Sequence, residues 1–252
     1  SRTVFLTGAA RGIGRELVEQ VTKLDFTGCG TGRDEVLLES RRAETGGHGT
    51  VANLSDPAQT VAVYQKAKDT LGQVDVLINN AGQGESGSLA EIDINRVRRL
   101  FEVNLFSSLE LTQIAIRAMI ERGGGTIIFI SSVAGRIHFP FLMPYGMTQF
   151  ALSAAASGLR SEMRTLGKGI HVSVVEPGAF YTGFNQRLSN SRFEWMDKRS
   201  IFSTGQIETM KAESTRILRW IEVKSTASIV NKVVAAAEAK TPKLRYMAPW
   251  YV

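Results

Sequence analysis

The first two dozen residues constrain this chain more than any other stretch. Residues 3–6 form a short β-type run, followed by Thr7, Gly8, Ala9, Ala10, Arg11, Gly12, Ile13 and Gly14; Leu17, Val18, Val21 and Leu24 then recur with helical spacing. Strand, glycine turn and helix in that order fit an α/β layer with the turn at the strand's carboxyl end. Such a turn leaves backbone N–H groups and a helix N-terminus free, where a pyrophosphate is stabilised. Gly8 permits the tight turn, and Gly12 and Gly14 permit close approach of a phosphate and of the packed helix. Glycines alone serve plain turns as well, so the strand and helix on either side carry the meaning.

The same alternation continues along the chain. β-type segments at 26–31, 48–54, 74–78, 126–130, 170–175 and 244–247 alternate with helical patterns, including a long one at 94–121 and a last one at 229–239. With 252 residues, 43% of them hydrophobic, there is enough apolar surface for one large core. The expectation is a Rossmann-type, doubly wound parallel α/β sheet of about seven strands with helices on both faces, in a single domain over residues 1–252.

One stretch carries the chemistry. The apolar run 126–130 reads as a strand buried on both faces; it ends in Ser131 and Ser132, and a helix begins at about Tyr145. A hydroxyl at a strand's carboxyl end and a phenol on the next helix's first turn face one crevice of an open α/β sheet.

Ser132, Tyr145 thirteen positions later, Asn104 in FEVNLF, and the TGAARGIG and NNAG strings together resemble the short-chain dehydrogenase/reductase family. The resemblance covers nearly the whole chain and implies interconversion of a carbonyl and an alcohol with a nicotinamide cofactor. It implies that Tyr145 transfers the proton, Ser132 hydrogen-bonds the substrate oxygen and Asn104 helps hold a water chain. It also places Asn79, Asn80, Ala81 and Gly82 at the sheet and cofactor, Asn53 and Leu54 near the adenine, and Pro177, Gly178 and Thr182 near the nicotinamide carboxamide or pyrophosphate. One position departs: the family pattern Tyr-x-x-x-Lys has Gln149 here. Tyr145 and Gln149 are i and i+4, on one helical face. Glutamine has the reach for ribose hydroxyls but lacks the charge that lowers the phenol's pKa from about 10. Arg136 or the oxidised nicotinamide is a candidate substitute cation.

In dinucleotide folds the end of the second strand meets the adenosine ribose, where an acid selects a free 2′-hydroxyl and an arginine a 2′-phosphate. Arg33 stands at that junction and Arg11 in the glycine turn can reach the same phosphate, which favours NADP(H) over NAD(H). Asp34 argues the reverse if it faces the pocket, and is neutral if it caps the next helix. Residues 183–220, with Phe193, Trp195, Met196, Phe202, Met210 and Trp220 among charges, read as a substrate lid or as ordinary core. With His138, Phe139, Phe141, Leu142 and Met143 they suggest a hydrophobic carbonyl or alcohol substrate.

The net charge of +6 is spread among acids, without the aromatic-interleaved basic stripe of a nucleic-acid partner. His48, His138 and His171 have no metal-ligand spacing, so no metal is expected. Cys29 is the single cysteine and no run approaches a membrane span or secretory signal, which suits a cytoplasmic location. The resemblance implies a homodimer or homotetramer built on the 94–121 helix and the helix from Tyr145. Besides the redox reading, two others stay open: a non-catalytic cofactor-binding or scaffold homologue, and a non-redox cyclase or isomerase on the same fold.

Overall fold

Strands buried on both faces need helices on both sides, and the order of elements supplies them. The computed structural model describes residues 1–251. Along the chain lie β1 (Thr3–Thr7), α1 (Gly12–Lys23), β2 (Thr27–Gly32), α2 (Glu35–Thr45), β3 (His48–Val51), α3 (Pro57–Leu71) and β4 (Val76–Asn79). Next come α4 (Ile94–Phe101), a π-helical turn (Glu102–Phe106), α5 (Ser107–Arg122), β5 (Gly125–Ile130), a 3₁₀ turn (Val133–Gly135), α6 (Met143–Leu166) and β6 (Ile170–Pro177). The last elements are α7 (Phe184–Ser191), α8 (Phe193–Met196), α9 (Thr204–Ile221), α10 (Ala227–Glu238) and β7 (Arg245–Ala248).

All seven strands pair in parallel in the order β3-β2-β1-β4-β5-β6-β7. The period of two along each strand divides the core. Phe5, Leu77, Ile127, Phe129, Val172 and Val174 pack with residues of α3, α5 and α6, whereas Val4, Leu6, Val76, Ile78, Ile128 and Val175 pack with α1 and α10. The chain winds outward from β1 to β3, returns to β4 and winds the other way to β7. Between β1 and β4 the connections leave in opposite directions, which opens a crevice at the strands' carboxyl ends.

Two glycines set how closely the first layers approach. A Cβ on Gly14 would lie 1.9 Å from the Gly8 carbonyl oxygen, and one on Gly30 would lie 2.5 Å from the Ala9 Cβ. The glycine-rich composition of β2 thus lets the turn after β1 settle against the sheet. Asp34, Asp56 and Asp93 cap α2, α3 and α4 by accepting from the N–H groups of Leu37, Ala58 and Asn95. Each such cap is worth about 1 kcal/mol.

Two elements differ from the sequence expectation. The helix expected over 94–121 contains the π-helical turn around Asn104, an added residue per turn that apolar spacing does not reveal. The strand expected over 48–54 ends at Val51, because the Asn53 side-chain oxygen accepts from the Ser55 N–H and hydroxyl and bends the chain. Among the described residues no helix is long and apolar enough to cross a membrane.

Glycine substitutions of opposite sign test this packing. Gly14→Ala is expected to cost about 2 kcal/mol, lowering the melting temperature by about 4–8 °C. Gly158→Ala, in mid-helix with nothing within 4 Å of the added carbon, is expected to stabilise by about 0.5–1 kcal/mol. Chemical denaturation of both variants checks the pair.

Candidate active site

The crevice between β1 and β4 is fastened by hydrogen bonds. Asn80 donates its side-chain amide to the carbonyls of Thr7 and Gly8, at 3.1 Å each, while the Thr7 hydroxyl accepts from the N–H groups of Asn80 and Ala81 at 3.0 and 2.9 Å. The structure therefore gives the bracing of the turn to Asn80; Asn79 instead donates to Thr112 on α5 at 3.0 Å. At the start of α1, Arg11 makes no side-chain cap, unlike the aspartates that precede α2, α3 and α4. The first N–H groups of α1 are left for a partner from outside the chain.

A cavity of about 1280 Å³ runs along this edge. Single small-molecule sites are commonly about 300–1000 Å³, so there is room for two molecules. One end is lined by Gly8, Arg11, Gly12, Ile13, Gly14, Arg33, Asn53 and Leu54, and the middle by Asn80, Ala81, Gly82, Ser132, Tyr145, Gln149, Pro177, Gly178 and Thr182. The other end is lined by Phe139, Phe141, Leu142, Phe184, Leu188, Met210, Ile217 and Leu218. Every site residue expected from the sequence lines the cavity except Asn79 and Asn104.

Asn104 stands behind the wall, 1% exposed. Its side-chain oxygen accepts from the Gln83 N–H at 2.8 Å, and its amide donates to the Gln83 carbonyl at 2.9 Å and to the Thr148 hydroxyl at 3.1 Å. Thr148 donates to the Tyr145 carbonyl at 2.6 Å and accepts from the Gln149 amide at 3.1 Å. Thr148 thus joins Asn104, Tyr145 and Gln149; sequence reasoning passed over it, although its i+3 position from Tyr145 marks it as part of that helical face.

Tyr145 is buried, with its ring 5.5 Å from that of Phe184. Burial pushes its phenol up to about 12, opposed by a hydrogen bond with the Ser132 hydroxyl. Arg136 does not act as the substitute cation: its Nε lies 2.9 Å from a carboxylate oxygen of the fully buried Glu176, which Arg245 also holds. At the first end of the cavity, one oxygen of Asp34 caps α2 and the other pairs with Arg11 at 3.3 Å, while Arg33 is exposed along the lining.

The chain is similar to known proteins. The chain is 30% identical over 236 residues to ketoacyl reductase HetN of Nostoc sp., covering 92% of this chain and 79% of that protein. A short-chain dehydrogenase from Streptomyces avermitilis superposes with a TM-score of 0.83 at 27% identity, covering 100% of this chain and 89% of that one. A gluconate 5-dehydrogenase from Burkholderia cenocepacia, solved with NADP and tartrate, gives a TM-score of 0.68 at 27% identity over 75% of this chain and 78% of that one. The pattern that defines the short chain dehydrogenases matches residues 2–192, a span that holds the glycine turn, Asn80, Ser132 and Tyr145 together. By that match this protein belongs to the short-chain dehydrogenase/reductase family of oxidoreductases.

Proposed function

We propose that this chain is an NADP(H)-dependent oxidoreductase that interconverts a carbonyl and an alcohol on a hydrophobic substrate. The observation that carries the reading is the position of Ser132 and Tyr145, midway along one cavity between an uncapped helix start and an apolar chamber. The unpartnered N–H groups of α1 and the absence of side chains at Gly8 and Gly12 fit a pyrophosphate. When bound, the nicotinamide cofactor supplies or accepts the hydride. In the reductive direction, the protein's part is proton donation by the neutral Tyr145 hydroxyl to the substrate oxygen, which Ser132 also hydrogen-bonds. Asn104 acts here as a positioning residue, through Thr148 and Gln83. Residues 183–220 form the lid, with Phe184, Leu188, Met210, Ile217 and Leu218 on the substrate side. Phe106 and Phe150, exposed on the π-helical turn and α6, support assembly into a homodimer or homotetramer across these helices.

The engagement of both Asp34 oxygens, one of them by Arg11, supports the 2′-phosphate reading, because it leaves Arg33 as the unpaired charge that meets the ribose. The HetN and gluconate 5-dehydrogenase names support carbonyl chemistry and, for the second, NADP. One observation favours a cofactor-binding homologue with little turnover: Gln149, 3% exposed and bonded to Thr148, brings no charge to a phenol already raised by burial.

Arg33→Ala is expected to weaken NADPH binding about tenfold or more and NADH binding by less than about twofold, the share of one charged hydrogen bond. Fluorescence titration of the two nucleotides checks this. A NADPH loss no larger than the NADH loss would remove the 2′-phosphate assignment.

The phenol sets the pH dependence. With its pKa at about 12, Tyr145 stays a proton donor through neutral pH, so carbonyl reduction should be flat to about pH 11 and fall above it. Alcohol oxidation needs the phenolate and should rise about tenfold per pH unit over the neutral range. A cation about 4 Å away is worth at most about 4 kcal/mol at an effective dielectric near 20, or about three pKa units. Gln149→Lys should therefore raise the rate at pH 7 roughly 10- to 100-fold and move the oxidation profile to lower pH. NADPH oxidation with a panel of hydrophobic ketones and aldehydes, on both proteins, checks it; equal rates would show that another group tunes Tyr145.

A further inference from the structure

Arg192 follows α7 in the wall of the substrate chamber and is 5% exposed. A buried guanidinium ordinarily has a carboxylate beside it, since an isolated buried charge is costly. Among the described residues Arg192 has none within 4 Å, although its neighbours in sequence and space include several paired ions, such as Arg96 with Glu85 and Glu194. Glu213 lines the same cavity without pairing to it. Burial alone moves its pKa, down to about 10, so it remains a cation at neutral pH.

Its surroundings fix the side chain without satisfying it. The Nε–H donates to the Ser189 carbonyl at 3.0 Å and to the Ser86 hydroxyl at 3.3 Å. The guanidinium carbon lies 5.8 Å from the Phe141 ring centre and 5.6 Å from that of Phe193. The guanidinium thus stands over two aromatic rings while its two terminal nitrogens, with four of the five N–H donors, have no hydrogen-bond partner among the described residues. Ser189, in the same wall, has a buried hydroxyl that is also without a partner. One helical turn earlier, Leu188 packs in the cluster that contains Tyr145.

We propose that Arg192 receives a carboxylate of the substrate, making the substrate an amphiphile with an apolar body, a reacting carbonyl or alcohol, and an acidic end. A held, planar fork with two free nitrogens matches a carboxylate in bidentate fashion. The apolar wall between it and Tyr145, formed by Phe141, Phe184 and Leu188, suits the body of such a molecule. This inference rests on the redox reading for the identity of the reacting group, but the acid-binding site can be tested without turnover.

Calorimetric titration of octanoate and of octanol into the protein, with and without NADP⁺, compares an acidic and a neutral amphiphile of equal length. The wild-type protein should bind octanoate about tenfold or more tightly than octanol in both conditions, and Arg192→Met should reduce octanoate to the level of octanol while leaving octanol within about twofold. Arg192→Lys, which keeps the charge and loses the fork, should retain part of the preference. Octanoate binding no tighter than octanol in the wild-type protein would overturn the proposal. So would a preference that survives Arg192→Met, or one that NADP⁺ abolishes, since the anion would then sit on another cation or at the glycine turn. A failed NADPH-oxidation assay would instead count against the redox reading and leave this result standing.

Discussion

Everything at the cavity depends on how closely the turn after β1 approaches the end of β4. That approach is possible because Gly14 has no side chain to meet the Gly8 carbonyl, and it is maintained by four hydrogen bonds across the gap, from Asn80 and Ala81 to Thr7 and Gly8. These bonds lie where the strand order reverses, at the edge where α1 begins without a side-chain cap.

The other half of the cavity follows a different rule. Around Tyr145 the wall is assembled from segments distant in sequence: the π-helical turn holds Asn104, β4 leads to Gln83, and α6 supplies Thr148 and Gln149. Asn104 and Thr148 meet protein partners on both sides, which fixes α6 against the loop after β4. The phenol is the exception in electrical terms. It is buried with a hydroxyl but without a cation, so burial dominates and the neutral form is favoured. Arg136, the cation the sequence offered as a substitute, is committed to Glu176.

Much of this arrangement was legible in the amino-acid order. The alternation of β-type and helical runs implied the doubly wound sheet, and apolar residues on both faces of the strands implied cover on both sides. The glycine turn could be located from its flanking strand and helix, and Ser132 and Tyr145 from their places at a strand end and a helix start together with the family resemblance. Asn53 and Asn104 were harder: a side chain that bends its own strand, and an added residue in a helical turn, change the backbone without disturbing the apolar pattern that marks an element. Thr148 carried only its i+3 spacing from Tyr145, and Arg192 no local signal, since an arginine among mixed charges is an ordinary surface residue until the fold buries it.

The sequence by itself determined the class of fold, the place of the crevice and the absence of a cation at position 149, because each follows from local periodicity, from glycine or from the identity of one residue. Only the tertiary structure decided which side chains are free when the chain is packed. Asp34 caps and pairs, Arg136 is taken by Glu176, and Arg192 is buried with its terminal nitrogens unmet. The physical reason is that a charge's availability depends on its nearest neighbours and on the water it has lost, and both are set by contacts between residues far apart in the chain.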